Sequence, residues 1–368
     1  VTTPNLLPQD FSAFSLQRVP ADAQLQAWNA ADELLLSRLT TNDDNLLLVN
    51  DSFGSLAVAL NQRVTAWWND SAMAQQALQE NCARNQSNLP KLIHSTDDLP
   101  NELTCAIIQV PKSVALFDWQ LGELATRLTP TGKVYALGMV KHLSDGHQKA
   151  MRRWFDQNNP GRAVKKARCV ELTEPLMVEA VQAQHSSTDD GLQLISEPGC
   201  FSAQKPDPGA LAFLHCFNRL PKVNRVLDLG CGNGILALSY LRRHLHANAV
   251  GIDESAQAIA SARASAQANG LSDRLELIHN NGLTDLNLTD VPLVLCNPPF
   301  HQDTSLTDTI AEELIKSAAQ VLGKDGELWL VGNRHLGYHQ RLKRYFRIVE
   351  VKSSHPKFVV LAARDVKN

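Results

Sequence analysis

The segment that most limits the fold is Arg225-Val226-Leu227-Asp228-Leu229-Gly230-Cys231-Gly232-Asn233-Gly234. A short apolar run that ends in a turn of alternating glycines reads as a buried strand feeding a helix, here Ile235 to Leu241. The alternation continues: strand Ala249–Ile252, an alanine-rich helix over about Ser255–Asn269, strands Leu275–His279 and Val291–Cys296, a helix over about Thr307–Leu322 and strand Glu327–Val331. Strands alternating with helices predict an α/β domain with a parallel sheet. The last two strands, Phe346–Val351 and Lys357–Ala363, have only the turn Ser353-Ser354-His355-Pro356 between them. They predict an antiparallel hairpin at the sheet edge.

The chain has 368 residues, room for two medium domains. Its first half repeats the plan faintly. Leu46-Leu47-Leu48-Val49-Asn50 with Gly54 matches Arg225–Gly234 at an offset of 180, and Trp68-Asn69-Asp70-Ser71 matches Ile252-Asp253-Glu254-Ser255 at 184. Ala106–Lys112 matches Val294–Phe300 at 188, and Thr131-Gly132-Lys133 with Gly138 matches Asp325-Gly326-Glu327 with Gly332 at 194. Four matches in one order predict an internal duplication. The first copy keeps the apolar positions and changes the polar ones: Leu48 stands at Asp228, Asn50 and Ser52 at Gly230 and Gly232, Gln109 and Val110 at Asn297 and Pro298. A retained fold with a lost small-molecule pocket is expected there. The His185–Gly191 stretch has linker composition, which predicts domains over residues 1–187 and 188–368.

The spacing GxGxG differs from the GxGxxG of dinucleotide-binding turns. An acidic residue in the strand, Asp228, suits a positively charged ligand such as the amino group and sulfonium of S-adenosylmethionine. Gly230, Gly232 and Gly234 let the backbone approach it, and Asp253 at the end of the next strand can accept ribose hydroxyls. Asn281 either contacts the adenine edge or caps its own loop. Asn297-Pro298-Pro299-Phe300 ends the Val291–Cys296 strand. Asn297 Oδ1 and the Pro298 carbonyl can each accept one N–H of a planar amine, which favours charge developing on that nitrogen. The prolines Pro298 and Pro299 stiffen the turn, and Phe300 offers a stacking face. Together these predict methyl transfer from sulfur to nitrogen. Before the glycine turn, Glu197–Ser202 and Asp207–Ala210 read equally as a lid, with Phe201 for stacking, or as interdomain packing. The amine is open at this point: adenine or cytosine in DNA, a glutamine amide of a release factor, or a base in RNA.

Leu227–Gly234, Phe201-Ser202 and Asn297-Pro298-Pro299-Phe300-His301 resemble the bacterial rRNA guanine-N2 methyltransferases. The opening Leu16–Pro20 and Leu25–Glu33 resemble the large-subunit branch of that family, which makes 2-methylguanosine in 23S rRNA. The resemblance covers nearly the whole chain. It implies tandem Rossmann-like class I methyltransferase domains with a degenerate N-terminal copy that acts as an RNA platform. It also implies cofactor contacts at Gly230, Gly232 and Asp253, and a guanine amine held by Asn297 to Phe300. A non-catalytic RNA-binding assembly factor is the reading from another class, and an intact Asn297-Pro298-Pro299-Phe300 argues against it. The target guanine is expected unstacked or flipped, on 23S rRNA or a large-subunit assembly intermediate, with 16S rRNA as the alternative.

The formal net charge is −3, which excludes a uniformly basic protein. Yet Lys141, Lys149, Arg152, Arg153, Arg162, Lys165, Lys166 and Arg168 face only Asp145 and Asp156 within residues 141–168. A second cluster is Arg341, Lys343, Arg344 and Arg347. Each is either solvated surface or a phosphate contact. Seven scattered cysteines without a CxxC pair predict free thiols, a cytoplasmic protein and no metal centre. No membrane span or secretory leader is expected, and two fused copies favour a monomer.

Overall fold

The computed structural model describes residues 7–203, 205–298 and 304–367. The chain divides into two compact units, Val1–Gln182 and Ala183–Asn368. In the first, α1 (Ala30–Leu36) precedes β1 (Leu46–Val49), α2 (Ser55–Leu60), β2 (Val64–Trp68), α3 (Ala72–Arg84), β3 (Lys91–Ile93) and β4 (Leu103–Gln109). Then follow α4 (Val114–Ala125), β5 (Leu128–Met139), α5 (Asp145–Trp154), β6 (Phe155–Asn159) and β7 (Ala167–Pro175).

The second unit opens with a hairpin of β8 (Gln184–Ser187) and β9 (Gln193–Ser196). Next come α6 (Pro208–Leu214), β10 (Arg225–Leu229), α7 (Ile235–Arg243), β11 (Asn248–Asp253), α8 (Ala256–Ala268) and β12 (Leu275–His279). The unit ends with β13 (Val291–Cys296), α9 (Thr304–Val321), β14 (Leu322–Asn333), α10 (Tyr338–Tyr345), β15 (Phe346–Ser354) and β16 (Phe358–Val366). The expected boundary at 187/188 would cut the hairpin between β8 and β9. The polar stretch that reads as a linker is partly an edge strand, paired through His185 with Ile195 and Ser187 with Gln193.

The two sheets share one topology. Their orders are β3-β2-β1-β4-β5-β7-β6 and β12-β11-β10-β13-β14-β16-β15, seven strands each. In both, five strands run parallel and the last two form an antiparallel hairpin whose second strand inserts beside the fifth. The registers return the sequence offsets independently. Leu47 faces Ala66 and Ala106 where Leu227 faces Val250 and Val294, and Ala106 faces Val134 where Val294 faces Leu328. These pairs reproduce the offsets of 180, 184, 188 and 194 read from the sequence.

Alternation along the strands sends side chains into two cores per unit, one on each face of the sheet. In β10, Leu227 and Leu229 enter the core under α9, and Val226 enters the core that contains α7. Asp228 therefore points to the α7 face. In β1, Leu48 occupies that position inside an apolar core. All seven cysteines are buried and none forms a disulfide. Among the described residues no helix is long and apolar enough to cross a membrane.

Candidate active site

The second unit has its topological switch between β10 and β13, because the chain goes on from β10 to β11 on one side and to β14 on the other. A crevice at the carboxyl ends of such strands is the usual place for a ligand in an open α/β sheet. Leu229 pairs with Cys296, so Gly230 and Asn297 leave the sheet side by side.

Gly230 and Gly232 have φ of +77° and +55°, and among the described residues no atom lies within 4 Å of where a Cβ would stand. The turn is bare toward the crevice. Gly234 differs: a Cβ there would lie 3.2 Å from Leu238 Cδ1 and 3.3 Å from Ala262 Cβ. Its smallness serves the packing of α7 against α8. The turn is fastened to β11. Gly230 and Cys231 donate to the Ile252 carbonyl at 2.8 and 3.0 Å. Gly232 N donates to Asp253 Oδ2 at 2.8 Å, and Ser255 N donates to Asp253 Oδ1 at 3.0 Å.

Asp228 is fully buried. Its Oδ2 accepts from Ala237 N, in the first turn of α7, at 2.9 Å. Oδ1 has no partner among the described residues. Burial pushes its pKa up to about 7; the Ala237 N–H opposes the rise and the Asp253 charge adds to it. An unpaired buried carboxylate oxygen is costly unless a ligand supplies the missing donor.

Asn297 donates from Nδ2 to Asp207 Oδ2 at 3.0 Å, while its Oδ1 is buried and has no partner among the described residues. Asp207 is the N-cap of α6 and accepts from Ala210 N at 2.8 Å. Pro298 is buried; Pro299 and Phe300 lie outside the described residues. In the sequence Asp207 opens the segment Asp207–Ala210, which reads equally as lid or interdomain packing. Its Asp-Pro start is a helix-initiation signal, but nothing local names its partner.

The Glu197–Ser202 segment is tied to α8. Gln257, Ser261, Ser265 and Asn269 recur every fourth residue and form one polar stripe on that helix. Gln257 donates to the Pro198 carbonyl at 2.9 Å, and Ser261 accepts from Glu197 N at 2.8 Å. Ser265 accepts from Ile195 N at 2.9 Å, and Asn269 bonds both backbone groups of Gln193. Asn233 in the glycine turn donates to Ser196 at 3.1 Å. Phe201 projects from this anchored segment and is 47% exposed. Asn281 is half-buried after β12, and its carbonyl accepts from Thr284 N at 3.2 Å.

The same location in the first unit is filled. Asn50 Nδ2 donates to Gln120 at 2.8 Å, and Gln120 donates back to Asn50 Oδ1 at 2.9 Å. Gln109 Nε2 donates to the buried Asp32 at 2.7 Å, and its Oε1 accepts from Ser52 Oγ at 2.9 Å and Ser52 N at 3.1 Å. The amide acceptor that stays open at Asn297 is consumed here.

The first basic cluster is largely solvent-facing. Lys141, Lys149, Arg152, Arg162 and Lys166 are exposed and form no ion pair among the described residues. Three members are partly engaged. Arg153 pairs with Asp118 at 2.7 Å, Lys165 pairs with Glu33 at 2.9 Å, and Arg168 is half-buried. Lys165 and Lys166 form a two-residue turn with φ of +47° and +62°. Val164 and Ala167 close it with two backbone bonds at 3.0 and 2.8 Å. Positive φ at both centres is the type I′ hairpin, which favours Asn-Gly. In the second cluster, Arg344 pairs with Glu312 at 3.0 Å and Arg347 with Asp365 at 2.7 Å.

The family described as the RLMG N-terminal domain matches residues 5–175, and the methyltransferase small domain matches residues 191–362. The ribosomal RNA large subunit methyltransferase G of Ectopseudomonas mendocina is 38% identical over 371 residues, 96% of this chain and 98% of that protein. Its namesake in Pseudoalteromonas translucida is 34% identical and is matched over 95% of both chains. Among solved structures, a T. thermophilus 16S rRNA N2 guanine methyltransferase in complex with AdoMet and guanosine superposes with a TM-score of 0.77 over 92% of both chains at 21% identity, a likeness of fold. With more than a third of its residues shared across nearly the full length of the E. mendocina protein, the chain belongs to the ribosomal RNA large subunit methyltransferase G family.

Proposed function

We propose that this chain transfers a methyl group from S-adenosylmethionine to the exocyclic N2 amine of one guanine in 23S rRNA, giving 2-methylguanosine. The observation that carries the reading is the buried Oδ1 of Asn297, left without a partner beside the bare Gly230–Gly232 turn. An aminated base brings the N–H that this oxygen lacks. The unpartnered Oδ1 of Asp228 and the open turn also fit the cofactor.

When bound, S-adenosylmethionine supplies an electrophilic methyl on a positively charged sulfur. Gly230 and Gly232 hold its methionine part, Asp228 favours its positive charge, Asp253 accepts its ribose hydroxyls and Asn281 borders its adenine. Asn297 Oδ1 and the Pro298 carbonyl accept the two amine N–H groups and draw the nitrogen lone pair out of conjugation. As the new N–C bond forms and the S–C bond breaks, both acceptors stabilise the positive charge on nitrogen. The proton then leaves to water, since the methylated amine is acidic at that stage. No strong base is needed beforehand. Phe201 and Phe300 stack on the flipped guanine.

The first unit serves as an RNA-holding platform through Lys141, Lys149, Arg152, Arg162 and Lys166, which contact phosphates. The substrate is 23S rRNA, free or within a large-subunit assembly intermediate, and the enzyme works as a cytoplasmic monomer. The test is nucleoside mass spectrometry of 23S and 16S rRNA after incubation with labelled cofactor. Labelled 2-methylguanosine confined to 23S rRNA supports the reading. Label in 16S rRNA, or on another base, overturns it.

A further inference from the structure

We infer that Asp207 is the positioning residue that turns the Asn297 amide so that its oxygen, and not its NH2, faces the reacting amine. The inference rests on the proposed guanine-N2 reaction. A primary amide has an acceptor end and a donor end of nearly equal size. Guanine N2 presents only N–H donors along the edge to be methylated. With the amide reversed, donors would face donors and the lone pair would stay delocalised into the ring.

A carboxylate resolves the ambiguity because it only accepts. Asp207 Oδ2 takes the Asn297 Nδ2–H at 3.0 Å, which leaves Oδ1 on the other side, buried and open. Asp207 is itself fixed, since the same oxygen takes Ala210 N at 2.8 Å as the N-cap of α6. A hydrogen bond to an anion also polarises the amide and makes Oδ1 a stronger acceptor. This matters most once the amine nitrogen carries positive charge.

The first unit supplies an independent observation. Gln109 stands at the position of Asn297, and its Nε2 is likewise taken by a carboxylate, Asp32, at 2.7 Å. Only there is the oxygen end closed, by Ser52. A carboxylate at the start of the first helix takes the amide NH2 in both copies, from the N-cap in the second and from the third helical residue in the first, and the open oxygen belongs to the second.

Two variants separate orientation from helix capping. Asp207→Ser keeps an N-cap for α6 but is too short to hold Asn297. Asp207→Asn keeps both the cap and an acceptor, and loses only the charge. Steady-state kinetics on 23S rRNA should show kcat lowered about 10- to 100-fold in Asp207→Ser. KM for RNA, KM for cofactor and Tm should be nearly unchanged. Asp207→Asn should recover most of the loss. Wild-type kcat in Asp207→Ser overturns the inference, as does an equal loss in both variants, or a loss confined to KM or Tm. If the wild type methylates a different amine, the guanine reading falls and the Ser-to-Asn difference still judges Asp207. If it methylates no amine, both fall.

Discussion

The two copies of the fold separate what the architecture needs from what the chemistry needs. Both have a glycine at the head of the helix after the first strand, Gly54 and Gly234, and in both a Cβ there would press on the neighbouring helix, at 2.6 Å from Leu78 Cα in the first. The glycines that face open space in the second copy, Gly230 and Gly232, have become Asn50 and Ser52. Asn50 retains a φ of +59°, a conformation asparagine tolerates. Asp228 has become Leu48, yet its cap on the helix survives. Asp51, in the turn, accepts from Ala57 N at 3.0 Å as Asp228 accepts from Ala237 N at 2.9 Å. The acid moved along the chain and kept its structural duty, while its former place in the strand joined the core.

Other shared features mark architecture in the same way. Arg153 and Trp154 both bind Asp118, and Arg344 and Tyr345 both bind Glu312. In each copy the helix before the sixth strand is clamped to the helix before the fifth, so Arg153 and Arg344 serve the fold first. The polar stripe of α8 also has a forerunner. Asn81 and Asn85 on α3 bond the backbone of Gln17 and Ser15 at 2.8–2.9 Å, as Ser265 and Asn269 bond Ile195 and Gln193. The repeat therefore begins near residue 15. What differs is the amide oxygen, closed by Ser52 in one copy and open in the other, and the acid after the second strand, since Asn69 stands where Asp253 does.

The sharpest way to break this contrast is to remove both amides. Asn297→Ala should lower kcat by about 10²- to 10³-fold, the usual loss for one transition-state partner, with cofactor binding nearly intact. Gln109→Ala should leave kcat unchanged and destabilise the first unit by about 1–3 kcal/mol through unpaired buried groups. Equal kinetic losses would refute the division of labour.

A smaller effect concerns pH. Asp228, raised to about 7, favours the folded state while protonated; that contribution is full below the unfolded value of 3.8 and is lost as pH rises through 7. Asp32 and Asp51, raised by burial to about 7 and about 6, act alike in the first unit. Cofactor-free stability should therefore decline from pH 4 to 7. Cofactor affinity should rise about tenfold between pH 6 and 8 as Asp228 ionises, and Asp228→Asn should flatten that rise. Calorimetric titration across this range checks both.

The smallest expected effect is at the Lys165–Lys166 turn. Replacing it with Asn-Gly relieves two left-handed lysines and should stabilise the protein by about 1–2 kcal/mol. The exposed Lys165–Glu33 pair offsets less than about 1 kcal/mol of that. RNA affinity should fall several-fold and its salt dependence should weaken. A more stable variant with unchanged RNA binding would make the turn ordinary surface.

Much of this was legible in the residues, and the gaps have physical causes. Glycines, prolines and strand-length apolar runs are local signals, so the strands Arg225–Leu229, Leu275–His279 and Val291–Cys296 and the duplication could be read directly. Asp207 could not be paired with Asn297 because the contact spans 90 residues. Nor could Arg153 be taken from the basic cluster, since its partner Asp118 sits on another helix. The stripe Gln257–Asn269 shows on an alanine-rich helix, but the strand it binds, β9, is short and weakly apolar. Its partner β8, made of Gln184-His185-Ser186-Ser187, has the composition of a linker and shifted the boundary by five residues.

One copy of the fold, and one only, is expected to hold the cofactor. The direct test is the stoichiometry of S-adenosylmethionine binding by isothermal titration. One site per chain is expected, lost in Asp253→Ala and unaffected in Asn69→Ala. Two sites per chain, or a single site lost with Asn69, would contradict it.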